Sequence, residues 1–330
     1  MDNLLASIVI STYAESRLAY ALNAIDSVRR QNYRDHEVVL VVDHEGTLVE
    51  EARRRATLPT RLVVNPRPGM ANARNFGLAQ ARGDVVVFLD DDAIAEPDWL
   101  GRLLTHYRDD RVIGVGGRSV PEWEGEPPRW LPEELYWVLG CTYRGYPSEG
   151  GDVRNLLGNN MSFRTSTLRA LGGFTLGRAR YWQITSGTAE ETELCLRIRD
   201  VVPQARIIYE PHAVVRHVVP ASRLRLGYLW RRALGEGVAK ARLRRLHVSN
   251  PSVLSHEVGY LRHLLFSFIP HTLRSRGALS AHLAVAQISA VLLVIAATGA
   301  GYGWTLLKER LPHLAGRRHT SHASRLLGEE

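Results

Sequence analysis

Three consecutive carboxylates, Asp90, Asp91 and Asp92, close a predicted strand over residues 84–89 that is wholly apolar from Val85 to Leu89. Like charges at the end of a buried strand repel one another and lose hydration, so the triplet calls for a neutralising cation. Side chains alternate along an extended chain, which predicts Asp90 and Asp92 on one side and Asp91 on the other. Two carboxylates so spaced can hold one hard divalent ion, Mg2+ or Mn2+, with coordination positions left for substrate phosphates and water. The plainer alternative is an acidic turn capping a helix over residues 97–107. A second acidic group, Glu190, Glu191 and Glu193, opens a helix predicted over residues 190–200, where carboxylates favour the helix dipole.

The elements that must position these groups alternate. Residues 7–12, 37–42, 61–65 and 84–89 read as β-strands. Residues 15–30, 47–56 and 69–82 carry helical spacing between them. Fully apolar strands separated by helices predict an α/β fold: a mostly parallel sheet covered on both faces, with ligands at the carboxyl ends of its strands. Beyond residue 116 the pattern loosens. A proline-rich stretch at 121–132 and a Tyr/Gly-rich stretch at 136–151 read as loops. Strands follow at 158–164, 205–209 and 213–218, and a long basic helix at 222–246.

Charge is unevenly placed. The chain has 330 residues and a net charge of +8. From Arg216 onward 17 Lys+Arg face 5 Asp+Glu, which leaves the first 215 residues mildly acidic. Only Lys240 and Lys308 are lysines, a bias that points to a GC-rich, bacterial genome. Two cysteines, Cys141 and Cys195, make no disulfide framework and fit a reducing compartment. No signal peptide is expected at the start. Residues 277–307 hold no Asp, Glu, Lys or Arg, and 283–307 are long enough for a membrane span. A buried hairpin or an interfacial helix is the alternative. Positive charge flanks the segment on both sides, so orientation is open. The predicted organisation is a catalytic unit over 1–220, a basic helical extension over 221–276, and an apolar membrane-associated helix with a basic tail over 277–330. Nucleic-acid binding is disfavoured, because no recognised module accompanies the basic charge.

Several short motifs occur in a fixed order: Val9-Ile10-Ser11-Thr12-Tyr13-Ala14-Glu15, Val41-Val42-Asp43, Ala71-Asn72-Ala73-Arg74-Asn75-Phe76-Gly77-Leu78, Gly83-Asp84, Asp90-Asp91-Asp92, Gly158-Asn159-Asn160-Met161-Ser162-Phe163-Arg164, Gly172-Gly173-Phe174 and Ala189-Glu190-Glu191-Thr192-Glu193-Leu194. In this order and spacing the chain resembles the family 2 glycosyltransferases, inverting enzymes with a GT-A fold. The resemblance implies that Thr12, Glu15 and Asp43 hold the base and ribose of a nucleotide-sugar, expected to be a UDP-sugar. It implies Arg67, Gly69, Arg74 and Asn75 around the diphosphate, where Gly69 lets phosphate approach backbone amides at a helix start. Arg74 as a surface ion pair is the alternative. Asp90 and Asp91 would face the donor, Asp90 and Asp92 the metal, and His217 would be a further ligand, with His212 competing.

Glu191 matches the family's catalytic base, although the family usually has Asp there; Glu190 is the fallback. Acceptor contacts would come from Trp182, Asn159 and Asn160. The arginines between 223 and 245 could contact diphosphate or an anionic lipid headgroup, or form a solvated face. The Gln-x-x-Arg-Trp motif of processive members is missing, which implies non-processive transfer. The tail is similar to the anchors of members that modify polyprenyl-linked glycans. The resemblance therefore implies transfer to a lipid-linked or envelope glycan acceptor at the cytoplasmic membrane, with the catalytic domain facing the cytoplasm. A nucleotidyltransferase would need a Gly-rich phosphate loop after the first strand, which is not there. A membrane adaptor without chemistry is the other rival.

Overall fold

The computed structural model describes residues 4–43, 46–56, 60–175, 189–247, 253–274 and 280–310. Four parallel strands build the first half of the sheet: β1 (Ala6–Thr12), β2 (His36–Asp43), β3 (Thr60–Asn65) and β4 (Val85–Asp90). Their order is β3-β2-β1-β4. Each is followed by helix or turn: α1 (Glu15–Arg29), α2 (Thr47–Arg55) and α3 (Met70–Gln80). Val85 to Leu89 are buried on both faces, which is why this run is wholly apolar.

The second half is mixed. It contains the short β5 (Ala93–Ala95), α4 (Trp99–Thr105), β6 (Val112–Trp123), β7 (Gly151–Asp152), β8 (Asn160–Arg164), α5 (Thr165–Ala170), α6 (Glu190–Val201) and β9 (Arg206–Val219). β8 lies antiparallel between β4 and β6, β9 runs parallel to β6, and β5 pairs antiparallel with β9. The two strands expected at 205–209 and 213–218 are one strand. β6 skips from Glu210 to Val214 of β9, so residues around Pro211, which has no amide to donate, bulge out of register. β6 also runs through Pro121, past the point where loop was expected. Leu18, Ile25, Val49 and Trp99 cover one face of the sheet, and Ala73, Leu78, Phe174 and Leu194 cover the other.

The remaining helices are α7 (Leu226–Leu246), α8 (Ser255–His263), α9 (Ile269–Arg274) and α10 (Ala281–Arg310). A 3-10 turn at Ala221–Leu224 precedes α7, which shortens the helix expected from residue 222. α10 is long and apolar enough to cross a membrane over Ala281–Lys308, with a mean hydropathy of 2.1 in its most apolar 18 residues. It lies along α7 at close range. A Cβ on Gly237 would fall 2.0 Å from the Thr298 carbonyl oxygen, and one on Gly301 2.1 Å from that of Leu234. Val291 and Val294 of α10 share a core with Leu229, Leu135 and Val138, joining these helices to the sheet.

Candidate active site

One cavity of about 1340 Å³ begins at the carboxyl ends of β1, β2 and β4 and continues under α7, α8 and α10. Register aligns Ser11 with both Val41 and Asp90, so the three strand ends open on the same edge. Asp43 is buried there, with both carboxylate oxygens committed to the next loop. Asn65 Nδ2 donates to Oδ1 at 2.6 Å and the Gly69 amide to Oδ2 at 2.9 Å. Asn65 Nδ2 also donates to the Arg67 carbonyl at 2.6 Å. Asp43 thus curves residues 65–69 over the cavity, and Gly69 completes the bend at φ +119°, a conformation that disfavours a side chain. Thr12, Arg67 and Gly69 all line this end.

The aspartates do not alternate as expected. β4 ends at Asp90, and Asp91 and Asp92 form a turn into β5, so strand periodicity stops one residue earlier. Arg17 of α1 grips Asp91 through two guanidinium nitrogens and reaches Asp92 at 2.9 Å. Asp90 points instead toward Arg74, at 3.3 Å. β5 pairs Ala93 with His217, which sets the His217 Nδ1 3.3 Å from Asp92 Oδ1. Arg223 Nη2 donates to Asp92 Oδ2 at 3.0 Å while its Nη1 donates to His217 Nε2 at 2.8 Å. Burial pushes His217 down to about 4, keeping the imidazole neutral. Burial alone would raise Asp92, but His217, Arg223 and Arg17 outweigh it and hold the carboxyl below its ordinary value. Burial pushes Asp90 up to about 6, with Arg74 opposing and the neighbouring aspartates adding.

Among the described residues no three His, Cys, Asp or Glu side chains form a preassembled metal cage. The donor set nevertheless fits a divalent ion. Arg223 places one cation against an ionised carboxylate and the lone pair of a neutral imidazole, a hard oxygen and a borderline nitrogen. A divalent ion at a phosphate site needs only one or two carboxylates.

The second acidic group faces this one across the cavity. Ala189, the residue before α6, has φ +79°, unusual for a side chain with Cβ. Glu190 and Glu191 both line the cavity. Glu190 Oε2 is buried without a hydrogen-bond partner. Burial pushes Glu190 up to about 7, with Arg74 opposing and Glu191 and Glu193 adding. Burial also raises Glu191, again against Arg74. Arg74 is therefore no surface ion pair: it is 3% exposed and bonds Asp90 and the Gly158 carbonyl, with the glutamates beside it. Glu193 is held by Arg197 and Thr175 and serves α6 itself.

Four residues singled out in the sequence, Asn75, Glu15, Asn160 and His212, do not line the cavity. Asn75 does not line the cavity: its amide donates to the Phe174 carbonyl and accepts from the Phe174 amide, both at 2.8 Å. It fixes Phe174, over whose ring Arg74 stacks. Glu15 is exposed and accepts from the Thr47 hydroxyl, tying the starts of α1 and α2 outside the cavity. Asn160 is locked in the core by Trp99, Arg118 and Ala213. Its neighbour Asn159 does line the cavity, but its amide is spent on Ser119 and the Gly140 carbonyl. His212 is exposed on the β9 bulge, which leaves His217 as the histidine at the aspartates. Trp182 lies outside the described residues.

Sequence reasoning reached the arginines between 223 and 245 but missed Arg17, Arg154, Glu236, Lys240 and Glu257, which also line the cavity. Arg154 makes two 2.7 Å bonds to Glu257 of α8, and Lys240 of α7 joins Glu257 at 2.8 Å and Glu236 at 3.0 Å. The four-residue spacing of Tyr228, Arg232, Glu236 and Lys240 was the available signal: it places all four on one ridge of α7, lining the cavity.

Comparison with known proteins agrees with this architecture. The sequence model of glycosyl transferase family 2 matches residues 7–172. The chain is 30% identical to the glucosyl-dolichyl phosphate glucuronosyltransferase of Haloferax volcanii over 309 residues, 92% of this chain and 97% of that one. It is 25% identical to the succinoglycan biosynthesis protein ExoM of Rhizobium meliloti, over 73% of this chain and 76% of that one. The fold matches that of the Pyrobaculum calidifontis mannosyltransferase PcManGT, solved with GDP-Man and Mn2+. That match has a TM-score of 0.56 at 20% identity, covering 95% of this chain and 86% of that one. With a GT-A sheet, a single cavity spanning its strand ends and a relative aligned along nearly its whole length, the chain belongs to glycosyl transferase family 2.

Proposed function

We propose that this glycosyltransferase moves a sugar from a nucleoside-diphosphate sugar, with a divalent cation, to a sugar carried on a lipid phosphate at a membrane face. The observation that carries this reading is the continuity of the cavity. Its polar end holds Thr12, Asp43 and Gly69; its other end is walled by Leu261, Leu264, Val294 and Ile295. A donor that is all polar would use only the first half. The name of the Haloferax relative describes a glucosyl-dolichyl phosphate acceptor, and the Pyrobaculum title a nucleotide-sugar with Mn2+.

In this reading Asp43 and Thr12 receive the nucleoside, and the α3 N-terminus behind Gly69 receives the diphosphate. Asp92 and His217 would hold the divalent ion with Asp90 beside it; when bound, the ion neutralises charge on the departing diphosphate. Arg17 and Arg223 keep the aspartates paired and surrender them as that charge arrives. Glu191 takes the proton of the acceptor hydroxyl as the hydroxyl oxygen bonds the anomeric carbon. The bond from that carbon to the diphosphate breaks on the opposite face, which inverts the centre. A second reading makes Glu190 the base, favoured by its unpartnered oxygen and its value near neutrality.

The exposed faces of α10 and α8 support membrane contact. Val285, Leu292, Trp304 and Leu307 of α10 are exposed, as is Phe266 after α8 at 78%. α10 is paired to a helix carrying Arg231, Glu236, Lys240 and Arg244, so we read it as embedded along one face, with the sheet on the cytoplasmic side. The test is mass-spectrometric detection of a new glycosyl-lipid. The full chain in detergent is given a UDP-sugar panel, Mn2+ and a glucosyl-phosphoryl isoprenoid. One hexose or uronate added to the isoprenoid supports the reading. Donor hydrolysis without any lipid product, at saturating acceptor, refutes it.

A further inference from the structure

The helical half of the cavity contains charge that the transfer chemistry at Asp92 and Glu191 does not use. Arg154, Arg232 and Lys240 bring three positive charges into it; Glu236 and Glu257 bring two negative ones. Glu257 takes both Arg154 and Lys240, and Lys240 also takes Glu236. Arg232 is the cation left over. Its Nη1 is buried and has no hydrogen-bond partner, an arrangement that costs stability unless a ligand completes it. Arg232 stands one helical turn before Glu236 on the ridge that lines the cavity, and it is near enough to Glu191 to favour that carboxylate's charge. Val294, Ile295 and Thr298 of α10, which packs alongside α7, and Leu261 and Leu264 of α8 give the same cavity an apolar wall.

We propose that Arg232 binds the phosphodiester of a sugar-phosphate-lipid acceptor, and that the lipid leaves along the wall formed by α8 and α10. The proposal rests on the acceptor reading above and names the group that recognises it. Charge complementarity selects the ligand. A phosphodiester brings one negative charge to the one cation outside the Arg154–Glu257–Lys240–Glu236 pairing, whereas a terminal diphosphate would bring at least two. Position selects it as well. Arg232 shares one cavity with Glu191 and with the apolar residues of α8 and α10, so a single acceptor has a sugar hydroxyl for the first, a phosphate for Arg232 and an isoprenoid for the last. A guanidinium also offers two parallel donors to phosphate oxygens, which a lysine cannot.

The test is equilibrium binding to the full chain in detergent, with four probes: a farnesyl glucosyl phosphodiester, its methyl counterpart, the neutral farnesyl glucoside, and UDP with Mn2+. Wild type should prefer the farnesyl phosphodiester to the neutral glucoside by roughly 10- to 100-fold, as expected for a charged hydrogen bond. Arg232→Gln should abolish that preference and leave UDP affinity unchanged; Arg232→Lys should restore part of it. The methyl phosphodiester should bind more weakly than the farnesyl one, and equal binding would remove the lipid from the proposal. Unchanged preference in Arg232→Gln overturns the assignment while leaving the lipid acceptor standing. Loss of UDP affinity in Arg232→Gln overturns it in favour of the donor. Failure of wild type to bind either farnesyl probe while it binds UDP overturns the acceptor reading and this proposal together.

Discussion

Replacing Glu190 with Gln should make the protein more stable above neutral pH and about 1 kcal/mol less stable near pH 4. Glu190 is 8% exposed, and its Oε2 has no partner. Burial is the dominant cause of its rise to about 7 from an ordinary value near 4.5, and Arg74 recovers only part of the loss. The folded chain therefore keeps a proton that the unfolded chain releases between about pH 4.5 and 7. Unfolding is favoured progressively as pH rises through that window, and the penalty is constant above it. About 2.5 pH units correspond to about 3 kcal/mol. A glutamine amide left without a partner costs about 1 kcal/mol at every pH. The net gain at pH 8 is then about 2 kcal/mol, or a rise in Tm of roughly 4 °C for a chain of this length. Thermal unfolding of both proteins at pH 4.5, 6, 7 and 8 reads this directly. A Tm difference that is flat across the series, or a less stable variant at pH 8, would refute the reasoning.

Other outcomes follow from the same contacts. Asp43→Ala leaves the Gly69 amide and one Asn65 donor without their acceptor, so UDP affinity measured by calorimetry should fall roughly 10-fold or more, with Tm lowered by a few degrees for a loss of about 1 to 3 kcal/mol. Arg223→Gln removes the cation shared by Asp92 and His217; Mn2+ binding without nucleotide, followed by electron paramagnetic resonance, should tighten several-fold, and an unchanged affinity would dissociate Arg223 from that pair. Gly237→Ala drives a Cβ against the Thr298 carbonyl and should cost about 2 kcal/mol, read as a lower Tm.

The sheet edge was legible because its determinants are local. Continuous apolar runs mark β1, β2 and β4, and an acid or hydroxyl at each carboxyl end marks the cavity. Boundaries failed where tertiary pairing governs. The Asp91–Asp92 turn exists because β5 must meet β9 at His217, and the bulge at Pro211 is visible only against β6. Asn75 and Asn160 were misassigned for a shared reason. A buried amide satisfies backbone groups as readily as it binds ligand, and sequence does not show which. The α7 ridge escaped because its charges pair with Arg154 and Glu257, residues distant in sequence. α8 has no continuous apolar run, so the helical extension expected over 221–276 does not mark it off as a separate helix.

The most direct test of the account is the Glu191→Gln variant, assayed beside wild type for nucleotide release. Each protein receives the donor with Mn2+ or with EDTA, in the presence and absence of a glucosyl-phosphoryl isoprenoid. The account predicts release that needs both metal and acceptor in wild type. In Glu191→Gln it predicts a loss of roughly 100-fold or more, with donor affinity retained. Release at the wild-type rate in Glu191→Gln, or release indifferent to EDTA, would contradict it.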